Sequence, residues 1–323
     1  MEAIGRVAQD AEALGYRAVF MRDHIERDLQ QHLMHTSTGF CEEGLDPGDP
    51  NMFECMTTMG YLAHATRSVE IGVMVLLLAQ RNPIVTAKQI ATLDAMSGGR
   101  ILVGIGVGNA DHRREMELLG VPYGKRGRIT DDYIKAMEAI WCNPKSTYHG
   151  EYVDFEDLTV YPKPVRKPYP PLLIGGGYHL QPSVLRRVAR FGDGWVPIAE
   201  PEQFRRGIPM IEDLARENGR RPDFTYMSYN FTSIAGTREE ADRRYATASR
   251  SQRLMHERGD STRIEAHDFR SRALVGGPDD IVKRVGEYVD SGVTYFELLF
   301  MTSTLDEMLT RMKLFSREVI PSF

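Results

Sequence analysis

Cysteine is scarce in this chain, with three in 323 residues. Cys41, Cys55 and Cys142 are odd in number and far apart, and no CxxC pair occurs. They supply neither a disulfide framework nor a thiolate metal site, and they suit a reducing cytoplasm. Long hydrophobic runs are wanting too. The longest, Ile71 to Ala79, has nine residues against the ~20 that span a bilayer, so it reads as a buried strand. The N-terminus has no basic stretch leading into an apolar one, which argues against a secretion signal and for a cytoplasmic protein. Positive charge is not in excess: 40 Lys and Arg stand against 45 Asp and Glu, a formal net charge of −5. With Arg and Lys scattered, no basic face is offered to nucleic acid or to an anionic membrane. The runs Arg113-Arg114 and Arg205-Arg206 fall in helical patterns and read as solvated faces.

What is present is a repeated junction. Ile4, Val7, Ala8, Ala11 and Leu14 share one helical face, Gly15 stops the helix, and "RAVFM" follows as a buried strand. The same order of helix, glycine and strand recurs at Gly98-Gly99, Gly192 and Gly292. Apolar strands are expected at 18–21, 70–77, 101–105, 172–174, 194–197, 226–234 and 295–300, with helices between them. One helix should open near Asn51, with Glu54 at capping-box spacing. Another should open at Pro278, with Asp279 and Asp280 in its first turn. Alternating units of this kind predict an α/β fold, a (β/α)8 barrel formed by residues 1–323 as a single domain. Three stretches exceed what a strand-to-helix loop needs: about 25–51, 109–171 and 235–275. All follow strands and would gather at the C-terminal face, where barrel active sites lie. The Pro-rich "YPKPVRKPYPP" reads as an extended connector.

Several chemistries are unsupported. No strand ends in Lys for a Schiff base or in His-x-His for a metal, and GxSxG does not occur. His32 and His35 have no acidic or Cys partner at ligand spacing, so no metal site is expected there. "GIGVGN" fails the dinucleotide spacing, because the third glycine would fall at Asn109 or Asp111. Gly106 and Gly108 either end a strand in a turn or let a planar ring approach the backbone, and both readings stand. The triple glycine Gly175, Gly176 and Gly177 precedes a helix start. It is either an anion cradle suited to phosphate or a plain turn. Asp23 and His24 close the first strand. His24 is placed for proton transfer, or it is a packed, semi-buried imidazole. A phosphate cradle, one Asp-His pair and strand mouths rich in Met and Val suit a cofactor that carries its own reactivity.

Together these residues resemble the luciferase-like flavin- or deazaflavin-dependent oxidoreductases. The resemblance runs from Met1 to about Phe300. It rests on "AEALGYRAVFMRDHI", "RNPIVTAKQIATLD", "SGGRILVGIGVG", "GKRGRITDDYIKAMEAIWC", "YPPLLIGGG" and "RFGDGWVP", and is closest to the actinobacterial subgroup using the deazaflavin coenzyme F-420. It implies a barrel whose C-terminal mouth holds the coenzyme ring, F-420 first and FMN as the alternative. A non-prolyl cis peptide at Met74–Val75 would back the ring. Asp23 would lie near it, with His24 as acid/base. Gly106, Gly108 and Asn109 would line the turn, and Gly175–Gly177 with Tyr178 would hold the phosphate. Two departures matter: Asn109 stands where Glu or Trp is usual, and Ile25, Glu26 and Arg27 follow His24 where some members place an aromatic.

The reaction implied is hydride transfer between F-420 and a small organic substrate, with FMN-dependent monooxygenation as the alternative within the class. A coenzyme-binding or vestigial barrel without turnover is the reading from another class. The family also forms homodimers, so a homodimer is possible here. A barrel strand should precede the opening helix, and none is present in the 323 residues. A start some fifteen to twenty residues upstream would supply it, estimated from a strand plus its loop.

Overall fold

The computed structural model describes residues 1–25, 53–176, 180–256, 270–302 and 304–323. The opening helix, α1 (Glu2–Ala13), buries Val7, Ala8 and Ala11 and ends where Gly15 takes a φ of 79°. Strands follow in chain order: β1 (Ala18–Met21), β2 (Glu70–Leu77), β3 (Ile101–Gly106), β4 (Ser146–His149), β5 (Asp154–Leu158), β6 (Leu172–Gly176), β7 (Gly194–Pro197), β8 (Thr225–Ile234), β9 (Leu274–Gly276) and β10 (Tyr295–Phe300). The remaining helices are α2 (Cys55–Ala65), α3 (Pro83–Ser97), α4 (Arg113–Leu118), α5 (Arg126–Cys142), α6 (Pro182–Phe191), α7 (Pro201–Glu217), α8 (Arg238–His256), α9 (Pro278–Val289) and α10 (Leu305–Glu318).

All seven expected strands form, and they lie side by side in the order β1-β2-β3-β6-β7-β8-β10, every pair parallel. Three strands were not anticipated. β4 and β5 form an antiparallel hairpin inside the 109–171 stretch, and the three-residue β9 pairs with the end of β8. The Pro-rich connector has no regular structure between β5 and β6, as expected, and carries cis bonds before Pro162 and Pro168. The helix expected near Asn51 starts instead at Cys55, with Glu54 itself as the cap, its carboxylate accepting from Thr57 N at 2.7 Å. Asn51 and nearly all of the 25–51 stretch lie outside the described residues. At Pro278 the expectation holds: Asp280 Oδ2 accepts from Gly277 N at 3.1 Å.

Alternation divides the side chains into two shells. Outward residues such as Val19, Ile71, Val103, Ile174 and Trp195 join the helices in one large buried cluster. Inward residues form a smaller one, Met74, Leu173, Val196 and Met227, with Phe20, Val75 and Tyr295 against it. Among the described residues β1 pairs only with β2, and β10 only with β8 and not with β1. Among the described residues the curled sheet is therefore open along one seam. A cavity of about 250 Å³ occupies that seam, lined by Phe20, Arg22, Tyr295 and Glu297 from the strands and by Val7 and Met312 from the helices. The helical ring does close over it: Tyr16 Oη donates to Met312 O at 2.9 Å and Ser316 Oγ to Leu14 O at 2.6 Å. No helix among the described residues is long and apolar enough to cross a membrane.

Candidate active site

The C-terminal ends of β1, β2, β3 and β6 bring most of the candidate residues into one region. At its base the Met74–Val75 peptide is cis, as the resemblance implied, and the β2–β3 register shifts between Val73 and Leu76. The neighbouring strands make room for this bulge by lacking side chains. A Cβ on Gly106 would lie 2.3 Å from Val75 Cγ2, one on Gly175 would lie 2.8 Å from Val75 Cγ1, and one on Gly104 would lie 2.5 Å from Val73 O. Gly106 is thus explained by packing of the bulge. Gly108 is explained by backbone: its φ is 72°, and a Cβ there would meet Met116 Cε at 2.7 Å, so α4 can fold back against the end of β3.

Asp23 is buried, and its carboxylate is fully engaged. Oδ1 accepts from Arg81 Nη2 at 2.5 Å and from Cys55 Sγ at 3.5 Å, while Oδ2 accepts from Leu77 N at 3.0 Å and Arg81 Nε at 3.2 Å. This clamps the end of β1 to the turn after β2, and burial pushes the Cys55 thiol up so that it stays a donor. Arg81 also reaches Glu54 at 3.1 Å. Sequence reasoning did not assign Arg81; its signal was the "RNP" run, in which Asn82 also caps α3 by accepting from Ile84 N and Val85 N.

His24, next along, keeps 15% of its side chain exposed and has two neighbours that sequence reasoning missed. Its Nδ1 lies 3.6 Å from Glu115 Oε1, and its ring stacks on that of His112 at 5.0 Å between centroids, 13° from parallel. Glu115 is buried in α4, with Oε1 accepting from Ile25 N at 3.0 Å and Oε2 from Gln80 Nε2 at 3.2 Å. Asn109, at the exposed start of this turn, places its amide N 3.3 Å and its side-chain oxygen 2.6 Å from His112 Nδ1. Both contacts are satisfied if His112 carries its proton on Nε2 and the Asn109 amide is turned so that Nδ2 donates.

The glycine run at the end of β6 fits an anionic group on one physical count. Gly175 and Gly176 are followed by α6, whose first turn begins at Pro182. Against Gly176 lies Trp195, where a Cβ would come 2.9 Å from Nε1, and that buried N–H has no acceptor among the described residues. Gly177 and Tyr178 lie outside the described residues, as do His32, His35 and Cys41. No group of three or more potential metal ligands occurs among the described residues.

Comparison with known proteins places the chain in a family. The chain is 31% identical over 216 residues to the uncharacterized protein Rv0953c of Mycobacterium tuberculosis, covering 66% of this chain and 73% of that protein. It is 27% identical to an F-420-dependent glucose-6-phosphate dehydrogenase of Microbacterium testaceum, covering 96% and 90% of the two chains. A third relative, an FMNH(2)-dependent dimethylsulfone monooxygenase of Pseudomonas putida, is 30% identical over 44% of this chain and 39% of its own. The crystal structure of monooxygenase RslO1 from Streptomyces bottropensis superposes with a TM-score of 0.79 at 21% identity, over 99% of this chain and 92% of that one. A family model described as luciferase-like monooxygenase matches residues 1–295, and the chain belongs to that family.

Proposed function

We propose that this protein transfers a hydride between a bound deazaflavin coenzyme of the F-420 type and a small organic substrate, with His24 moving the accompanying proton. The observation that carries the reading is the conjunction at the strand mouth: the Val75 bulge seated on glycines, with an imidazole backed by a buried carboxyl beside it. The coenzyme, when bound, supplies the hydride chemistry. The chain supplies an apolar backing from Met74 and Val75, an anion site at Gly175, Gly176 and the Trp195 N–H, and a proton-carrying group at His24. Support for F-420 over FMN comes from coverage. The F-420-dependent relative aligns along 96% of this chain, the FMNH(2)-dependent one along 44%. Monooxygenation with reduced FMN is the second reading, favoured by the latter relative.

Fluorescence quenching on titration of the purified protein with F-420 and with FMN tests this directly. Micromolar binding of F-420 and not of FMN is expected. Binding of FMN alone would transfer the reading to monooxygenation, and binding of neither would remove it. His24→Ala should keep coenzyme affinity and lose turnover by about 10²–10⁴-fold, the usual contribution of a positioned acid or base.

A further inference from the structure

We infer that Glu115 is the positioning residue that decides which nitrogen of His24 faces the strand mouth. The catalytic use of this role rests on the hydride-transfer reading above; its geometry does not. Glu115 is 5% exposed, although its helix also carries Arg113, Arg114, Glu117 and Leu118 to the surface. Burying a carboxyl is costly unless its oxygens are satisfied, and each oxygen here has a different anchor. Ile25 N, the backbone group directly after His24, holds Oε1, and Gln80 Nε2, from the turn after β2, holds Oε2. With both oxygens tied, the carboxyl cannot swing, and Oε1 stays 3.6 Å from His24 Nδ1. That separation is longer than a short hydrogen bond, but a carboxylate at this distance still favours the proton on the nearer ring nitrogen.

The ring has one remaining freedom, rotation about its own bond to the side chain, and His112 removes it by stacking face to face. His112 fixes the plane, and Glu115 fixes the edge. An acceptor beside Nδ1 selects the tautomer with its proton on Nδ1, which leaves the Nε2 lone pair directed away from Glu115. Nε2 is then the atom that takes a proton from the substrate as hydride leaves it, and that returns the proton in the reverse direction. Asn109, the other polar side chain at the start of this turn, lies against His112 instead.

The test is the imidazole ¹⁵N spectrum of the coenzyme-free protein at neutral pH, with the His24 signals assigned by their loss in His24→Gln. Wild type is expected to show the Nδ1–H tautomer. Glu115→Ala should revert to the Nε2–H form that free imidazole side chains prefer. Glu115→Gln should keep Nδ1–H, because the amide oxygen still accepts and Gln80 Oε1, buried and without a donor among the described residues, can turn to take the new N–H. In turnover, Glu115→Ala should lower kcat by about 10–100-fold, the usual loss when a supporting partner is removed, with KM for the coenzyme little changed and activity largely restored in Glu115→Gln. An Nε2–H tautomer in wild type, or the same tautomer in wild type and Glu115→Ala, would overturn the role, as would a shifted tautomer with unchanged kcat. Should Glu115→Ala fail to fold, the wild-type and Glu115→Gln tautomers decide the matter. If the tautomers behave as expected while wild type turns over no substrate with F-420, the positioning stands and the hydride-transfer reading falls.

Discussion

Glu297 shows how a single inward position can carry a pH response. It sits on the inner face of β10 beside the seam, half-buried as a residue, with carboxyl oxygen Oε2 buried and without a hydrogen-bond partner among the described residues. Burial pushes its carboxyl up from 4.5 to about 8, against the opposing charge of Arg22. Between these two values the folded chain holds a proton that the unfolded chain has released. Stability contributed here is therefore full below about pH 4.5, falls as pH rises, and is gone above about pH 8. Glu297→Gln keeps the shape and abolishes the titration. The variant should match wild type near pH 5 and exceed it at pH 9 by roughly 2–4 kcal/mol, taking ~1.4 kcal/mol for each pH unit between the two values and allowing for relaxation around the charge. Urea denaturation at the two pH values measures this; parallel pH dependence in the two proteins would refute it.

Elements were legible in proportion to the apolar surface they bury. Most of the barrel strands are short apolar runs, and four of them, β1, β3, β7 and β10, follow a helix-stopping glycine, so they announce themselves locally. The β4–β5 hairpin did not, because Asp154, Glu156 and Asp157 leave it mostly exposed, and β9 is only three residues long. At the site, the glycines and the Asp23-His24 pair could be read as strand ends. Arg81, Glu115 and His112 could not, since their roles arise from chain folding: Glu115 meets Ile25 across 90 residues. Several motif residues proved to join elements. Arg100 of "SGGR" donates to Ala63 O, Val69 O and Ser97 O, tying α2 to α3, and Asp193 of "RFGDGW" accepts from Leu172 N. The interlock of β2 with β3 is testable in the same terms. Gly106→Ala sets a Cβ 2.3 Å from Val75 Cγ2, and a β-branched side chain has little freedom to yield. A loss of about 1–3 kcal/mol is expected from overpacking, with weaker coenzyme binding because the bulge must shift. Val75→Ala removes the opposing atoms, so the double variant should recover part of that loss. Strict additivity in a double-mutant cycle would show that the two residues do not interlock.

At the scale of the whole molecule the consequential feature is the seam between β1 and β10. Every interior strand of the sheet is hydrogen-bonded on both sides, but among the described residues these two are bonded on one. Their opposite edges face the 250 Å³ cavity, while α1 and α10 hold together across it through Tyr16 and Ser316. An amide directed into the seam has no strand carbonyl opposite it among the described residues and exchanges its hydrogen through small local motions; one in β3 or β6 must wait for the sheet to open. Exchange should therefore rank the strands by position. β3 and β6 should be slowest, β1 and β10 should be fastest, and within β10 roughly half the amides, those directed at the seam rather than at β8, should lose protection first, as follows from the alternation of parallel pairing. The inner seam also holds Arg22 and Glu297, so water entering it reaches the barrel's buried polar groups. Raising the pH through about 8, where Glu297 ionises, should speed exchange in β10 beyond the intrinsic base-catalysed increase, and Glu297→Gln should cancel that excess. Mass spectrometry of deuterated peptides covering 18–21, 101–106, 172–176 and 295–300 provides the comparison. Equal protection in β1, β3, β6 and β10 would mean that the seam is closed in the native protein, and with it would fall the route by which pH reaches the barrel interior.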